Sequence, residues 1–159
     1  NEMKEKSIHR IQAPIGQFYL RESEKPIVFV AGGTGFAPIK SVIEDLIFNN
    51  IKRPIFLYRG AGSFEDLYMH DLAKNWANKI NEFSYIPVSE KIPKNNDQLR
   101  IGLVHHAVLE DFKSLANVQV YCCGAPGLVQ TAFESFTKKG LPEDEFYADA
   151  FTFAPPKNN

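Results

Sequence analysis

Three groups of residues have the types and spacing to do chemistry. The first is Gly32-Gly33-Thr34-Gly35, which follows the apolar run Ile27–Ala31 and precedes Pro38. A turn with almost no side chains, set between a buried strand and a helix start, places free backbone N–H groups and a positive dipole end side by side. Such a corner binds a phosphate or pyrophosphate. The second group is Tyr58-Arg59-Gly60-Ala61-Gly62-Ser63 with Asp66, at the end of the next apolar run. There Arg59 is placed either to meet a phosphate or stack on a base, or to be an ordinary loop arginine. The third is Cys122-Cys123-Gly124-Ala125-Pro126, again between a strand and a helix. Cysteine is small and soft and packs against a ring without competing for electrons.

Two common phosphate fingerprints are excluded. A P-loop needs glycine before its Lys-Ser pair, and Ile39 precedes Lys40-Ser41. Gly33-Thr34-Gly35-Phe36-Ala37-Pro38 starts like G-x-G-x-x-G but ends in proline. The run Ile55–Tyr58 leads into Arg59-Gly60 rather than into a ribose-binding acid. Other candidates lack partners. His105-His106 cannot both face one metal from a helix, and no metal site is expected. His105 reads as a loop or helix-start residue. Ser41 and Ser63 have no triad arrangement. Asp45, Glu65, Asp66 and Asp111 read as solvated helix faces, Glu65 and Asp66 also serving a helix N-terminus.

The elements that must position these groups alternate. Ile27–Ala31 is short and continuously apolar, as a strand buried on both faces is. Ile39, Val42, Ile43, Leu46 and Ile47 follow at helical spacing. Strands are expected at 54–58, 83–88, 118–122 and 145–150, with helices at 65–79, 103–112 and 128–138, the last capped by Gly140. The span 90–100 is a polar surface loop. The fold class is therefore α/β, a five-stranded parallel sheet wound on both faces. Before it, Ile8–Leu20 alternates around a Pro14-Ile15-Gly16 turn and is expected to form a short antiparallel pair. That pair suggests a piece of another domain, with residues 1–22 separate from 23–159.

Size and composition are those of an ordinary globular domain: 159 residues, 44% hydrophobic, 23% charged, net charge −1. That many residues bury roughly 70% of their unfolded surface. The near-neutral charge argues against nucleic acid as a partner, and no apolar run is long enough to span a bilayer. Two adjacent cysteines make neither a disulfide framework nor a metal cage, so a reducing, cytoplasmic setting is expected.

A-G-G-T-G-F-A-P as a whole resembles the nucleotide-binding domain of the ferredoxin–NADP reductase superfamily. C-G-x-P at Cys123–Pro126 resembles a second signature of that family. A-P-I-G-Q-F-Y-L-R-E, at residues 13–22, is similar to the segment that ends its flavin-binding barrel. The ending F-Y-A-D-A-F-T resembles that of reductases accompanying CDP-6-deoxyhexulose dehydrase and of NAD(P)H–flavin reductases.

The resemblance implies a dinucleotide across Gly32, Gly33, Thr34, Gly35 and Pro38. Its adenosine end would lie at Arg59, Gly60, Ser63 and Asp66, and its nicotinamide at Cys123, Gly124 and Pro126, with Phe151, or Phe153 if the register differs, against a flavin. Family members place an arginine where Gly62-Ser63 stands, which tilts the expected coenzyme from NADPH towards NADH. FAD would come from an upstream flavin-binding domain of which residues 1–22 are the tail. Electrons would go to an iron–sulfur domain or another downstream acceptor. The alternatives are a non-catalytic nucleotide-binding module that kept the fold, and an ordinary two-substrate dehydrogenase or methyltransferase. The latter needs a Tyr-Lys or His constellation not found here.

Overall fold

The computed structural model describes residues 8, 16–92 and 99–150. Its centre is strand β1 (Ile27–Gly32), whose first five residues are buried. A 3₁₀ turn at Gly33–Gly35 leads into helix α1 (Phe36–Phe48). Pro38 falls in the first turn of α1, where its missing N–H has no helical acceptor to lose. The chain continues as β2 (Ile55–Ala61), α2 (His70–Lys79), β3 (Phe83–Ser89), β4 (Arg100–Ile101) and α3 (Val104–Asp111). It ends in β5 (Gln119–Gly124), α4 (Pro126–Lys138) and β6 (Phe146–Ala150).

All strand pairs are parallel, in the order β4-β3-β2-β1-β5-β6. Alternation along β1 sends Ile27, Phe29 and Ala31 into a core with α1 and α2, where Ile39, Ile43, Leu46 and Trp76 close it. Val28 and Val30 point to the other face and pack with α3 and α4 through Val104, Val108, Ala132 and Phe136. A strand buried on both faces has to be apolar at every position, which is why β1 shows no alternation.

Three features differ from the sequence expectation. The sheet has six strands rather than five, because Arg100–Ile101 pairs with Val88–Ser89 at the edge. The expected helix at 65–79 is divided. A 3₁₀ turn at Phe64–Asp66 precedes α2, and Met69 between them takes a left-handed φ of 55°. This break leaves the Tyr68 carbonyl free to accept a hydrogen bond from Arg59 Nη1 at 2.7 Å. The expected antiparallel pair at Ile8–Leu20 lies largely outside the described residues, and 16–20 contain no strand. Phe18 and Leu20 pack instead on the α1-side core, with Phe18 edge-on to Tyr121.

Asp111, expected to be solvated, is held from two sides. Arg100 makes a bidentate pair with it at 2.6 and 2.7 Å, and the buried Tyr58 hydroxyl donates to Oδ2 at 2.8 Å. The Arg100 guanidinium holds its carboxyl below the usual carboxylate range. Asp111→Ala strands the Tyr58 hydroxyl and is expected to cost about 1–3 kcal/mol. The carboxyl's folded value is depressed, so its contribution is complete above the unfolded value of about 3.9. It is lost as pH falls through the folded value. Urea unfolding of wild type and variant should therefore differ at pH 7 and converge in acid. Equal midpoints at pH 7 would show that the pair contributes nothing.

Candidate functional site

Because every strand runs the same way, α1, α3 and α4 all begin at one edge of the sheet. Their first-turn N–H groups, which have no partner inside the helix, face that edge together. The chain winds outward from β1 through α1 to β2 on one side. On the other side it winds from β5 through α4 to β6. The gap above β1 and β5 is thus the switch point at which open parallel sheets bind ligands. A cleft of about 670 Å³ lies there, within the range of small-molecule sites.

The glycine turn forms one wall, and its members do different work. Gly33 has a φ of +50°, and a Cβ built on it meets nothing within 4 Å, so this position opens onto the cleft. Gly35 is buried, and a Cβ there would come within 2.1 Å of the Cys123 carbonyl oxygen. It lets the turn lie directly on the end of β5. Gly32 and Gly60 are close-approach positions as well, against Leu128 and Val104 respectively.

Of the residues singled out in the sequence, Gly32, Gly33, Thr34, Gly60 and Asp66 line the cleft. Ser63 stands beside it, its N–H and Oγ donating to Asp66 Oδ2 at 3.1 and 2.8 Å. Pro126 is the first residue of α4, between the cleft-lining Ala125 and Gly127. Gly124 crosses close to the Gly32 carbonyl at the base of the turn.

Arg59 is placed elsewhere. It is 2% exposed, with its guanidinium 3.7 Å from the centroid of the Phe36 ring. Burial pushes it below its ordinary value. β2 directs Arg59 to the α1 and α2 face, whereas the next residue, Gly60, meets α3. Cys123 is fully buried, and burial pushes its thiol up to about 12. Burial thus favours the thiol over the thiolate at neutral pH. Phe151 and Phe153 lie outside the described residues.

The cleft is also lined by Glu90, Leu103, Leu128 and Thr131, which no sequence motif marked, and by His105, expected to be a loop or helix-start residue. Glu90 directly follows β3, and a search confined to strand ends would have included it. Leu128 and Thr131 carry no such signal.

A nucleotide fits this arrangement on the chain's own geometry. The glycine wall carries no side chain at Gly33, three helix N-termini converge on it, and carboxylates stand apart at Asp66 and Glu90. Among the described residues no group of acidic, histidine or cysteine side chains could hold a metal ion.

Comparison with known proteins agrees with this geometry. Residues 29–134 match the family of oxidoreductase NAD-binding domains. The chain is 40% identical over 153 residues to protein RfbI of Salmonella typhimurium, covering 95% of this chain and 45% of that one. It is 41% identical over 154 residues to the CDP-6-deoxy-L-threo-D-glycero-4-hexulose-3-dehydrase reductase of Yersinia pestis, with coverage of 95% and 45%. The chain thus spans about half the length of these relatives. Its fold superimposes on the cytochrome P450 reductase GcoB of Amycolatopsis with a TM-score of 0.80 at 24% identity, over 87% of this chain and 42% of that one. A buried central strand, a glycine turn open to a switch-point cleft and these likenesses lead to one conclusion: the chain belongs to the oxidoreductase NAD-binding domain family.

Proposed function

We propose that this chain is the nicotinamide-nucleotide-binding part of a flavoprotein reductase, taking NADH in the cleft between β1 and β5. The observation that carries this reading is Gly33, whose open Cα faces a cleft on which three helix N-termini converge. The pyrophosphate would lie on the backbone of Gly33 and Thr34, where no side chain intervenes. The adenosine half would run towards Gly60, Gly62 and Asp66, and the nicotinamide towards Cys123–Pro126. Gly35 holds the turn against β5, so these two ends keep a set distance. The Cys123 thiol packs under the turn and moves no proton.

When bound, the nicotinamide supplies a hydride to FAD, and the flavin hands electrons on to an iron–sulfur or flavin acceptor. FAD would be held by a flavin-binding domain that residues 1–22 adjoin, with residues 23–159 forming the nucleotide domain. Phe151 is proposed to approach the flavin. The name of the Yersinia relative makes a CDP-deoxysugar dehydrase the favoured downstream system. No helix of the described residues is long and apolar enough to cross a membrane, and both cysteines are free and buried. A cytoplasmic setting fits these features.

Two measurements test the reading. Calorimetric titration of the chain with NADH and ADP-ribose should show binding, and absence of binding to either would overturn it. Joined to a flavin-binding domain of the family, the chain should support NADH-dependent bleaching of the flavin. Binding without bleaching would leave a nucleotide-binding module only. Within the cleft, Gly33→Val is expected to weaken NADH at least tenfold, because its branched side chain would stand over the backbone that the pyrophosphate approaches. Calorimetry on the folded variant reads this directly, and unchanged affinity would place the pyrophosphate elsewhere.

A further inference from the structure

Arg53 stands just before β2, at the base of the sheet and away from the cleft, and is only 5% exposed. Its Nε donates to the Lys25 carbonyl at 2.7 Å, Nη1 to the Arg21 carbonyl at 3.3 Å and Nη2 to Gln119 Oε1 at 2.7 Å. These acceptors are all uncharged, so a buried cation is met directly by dipoles. Gln119 in turn donates to Glu145 Oε2 at 2.9 Å, and Lys25 Nζ meets Glu145 Oε1 at 2.6 Å. The contacts close a ring. It runs from the start of β2 across the start of β5 to the start of β6, and returns to Lys25 just before β1.

What this ring holds is the segment that leads into β1. The Arg21 N–H donates to the Tyr121 hydroxyl at 2.8 Å, and the Arg21 guanidinium lies 3.7 Å over the Tyr19 ring. Arg53 therefore grips the backbone on both sides of the boundary expected between residues 22 and 23. Stability alone does not call for a cation here. A well-packed apolar side chain in place of a buried ionic group is often neutral or stabilising. It could not, however, hold two separate carbonyls, whose positions define the path of the segment across the sheet. None of Arg53, Gln119 and Glu145 lines the cleft.

We propose that Arg53 is a positioning residue: with Glu145 it latches residues 21–25 to the base of the sheet, and so fixes where the upstream flavin-holding domain stands relative to the cleft. This rests on the reading of the chain as part of a flavoprotein reductase. Hydride transfer between two separately held rings depends steeply on their separation. A slack segment would let the flavin stand away while leaving the nucleotide's own contacts intact. The test uses Arg53→Met, Arg53→Lys and Glu145→Gln, in this chain and in the chain joined to a flavin-binding domain. In the joined protein, methionine should slow flavin bleaching at saturating NADH about tenfold or more. The Kd for NADH should stay within about twofold of wild type. Lysine keeps the charge and can reach one carbonyl, so it should restore part of the rate.

In this chain by itself, amide hydrogen exchange at residues 21–25 should quicken about tenfold in the methionine and glutamine variants, with β1 and β5 still protected. Should methionine prevent folding, Glu145→Gln decides by the same two readouts, since it keeps the side chain's shape and removes its charge. A bleaching rate within about twofold of wild type, or unchanged exchange at residues 21–25, overturns the latch. Exchange that quickens equally in β1 and β5 overturns it too, because Arg53 would then serve the whole fold. An unsubstituted joined protein that binds no NADH, or binds it without bleaching, overturns the reductase reading instead. The exchange comparison then still decides whether Arg53 holds the segment.

Discussion

Gly35→Ala should lower the stability of the folded chain by about 3 kcal/mol, the upper end of what overpacking costs, and Gly35→Val should prevent native folding. A Cβ at this position would lie 2.1 Å from the Cys123 carbonyl oxygen, 2.4 Å from its carbon and 2.7 Å from the Gly124 nitrogen. All three atoms belong to the backbone of β5, which its pairing with β1 and β6 keeps from retreating. A flexible side chain could move aside, but a central strand cannot. Against a total stability of about 5–15 kcal/mol, such a loss is decisive. Gly33→Ala, two residues earlier, has open space and is expected to cost only the left-handed backbone penalty, about 1–2 kcal/mol. Urea midpoints of the two alanine variants separate these effects. A Gly35→Ala protein within 1 kcal/mol of wild type would show that the turn does not rest on β5. The contrast also divides a motif that looks uniform on the page. Loss of nucleotide binding in a Gly35 variant would report the fold, whereas in a Gly33 variant it reports the cleft.

Wild type is expected to prefer NADH over NADPH by tenfold or more, and Gly62→Arg with Asp66→Asn together to reverse that preference by about 100-fold or more. The wall proposed for the adenosine carries Asp66 and Glu90, and among the described residues no lysine or arginine lines the cleft. A 2′-phosphate entering there would meet carboxylates and no cation, while a ribose hydroxyl could donate to either. Gly62→Arg alone should shift the preference only weakly. A side chain at 62 starts 3.7 Å from Asp66 Oδ2, and the new guanidinium would pair with that carboxylate before it met a phosphate. Removing the Asp66 charge as well frees it for a charge-assisted, bidentate contact. At about 1.4 kcal/mol per tenfold, the two changes together are the size of one strong charged hydrogen bond. Relative kcat/KM for the two coenzymes in a flavin-competent reductase, or calorimetry on the chain itself, reads the outcome. A wild-type preference for NADPH above tenfold would sink this account of the adenosine wall.

Sequence by itself determined the parallel α/β architecture and marked strand ends that line the cleft. The unbroken apolar run of β1 admits only a strand buried on both faces, and strands alternating with helices admit only parallel pairing. Glycines and prolines at the strand ends mark the edge that carries the cleft. These are local statements, carried by periodicity and by the backbone limits of two residue types.

What each marked residue does at that edge was decided by the tertiary structure, because it depends on which distant atom lies opposite. Gly33 and Gly35 belong to the same turn, and only the approach of β5 tells the open one from the packed one. Arg59 and Gly60 are neighbours on β2. The alternation of the strand sends one beneath Phe36 and Tyr68 and the other against Val104 at the cleft, and no spacing rule says which face holds the ligand. Arg100 and Asp111 read as loop and solvated surface because their pairing spans a two-residue edge strand too short to leave a pattern. His105 looked like a helix start of no consequence. It joined the cleft lining only when α3 was laid beside the ends of β2 and β3.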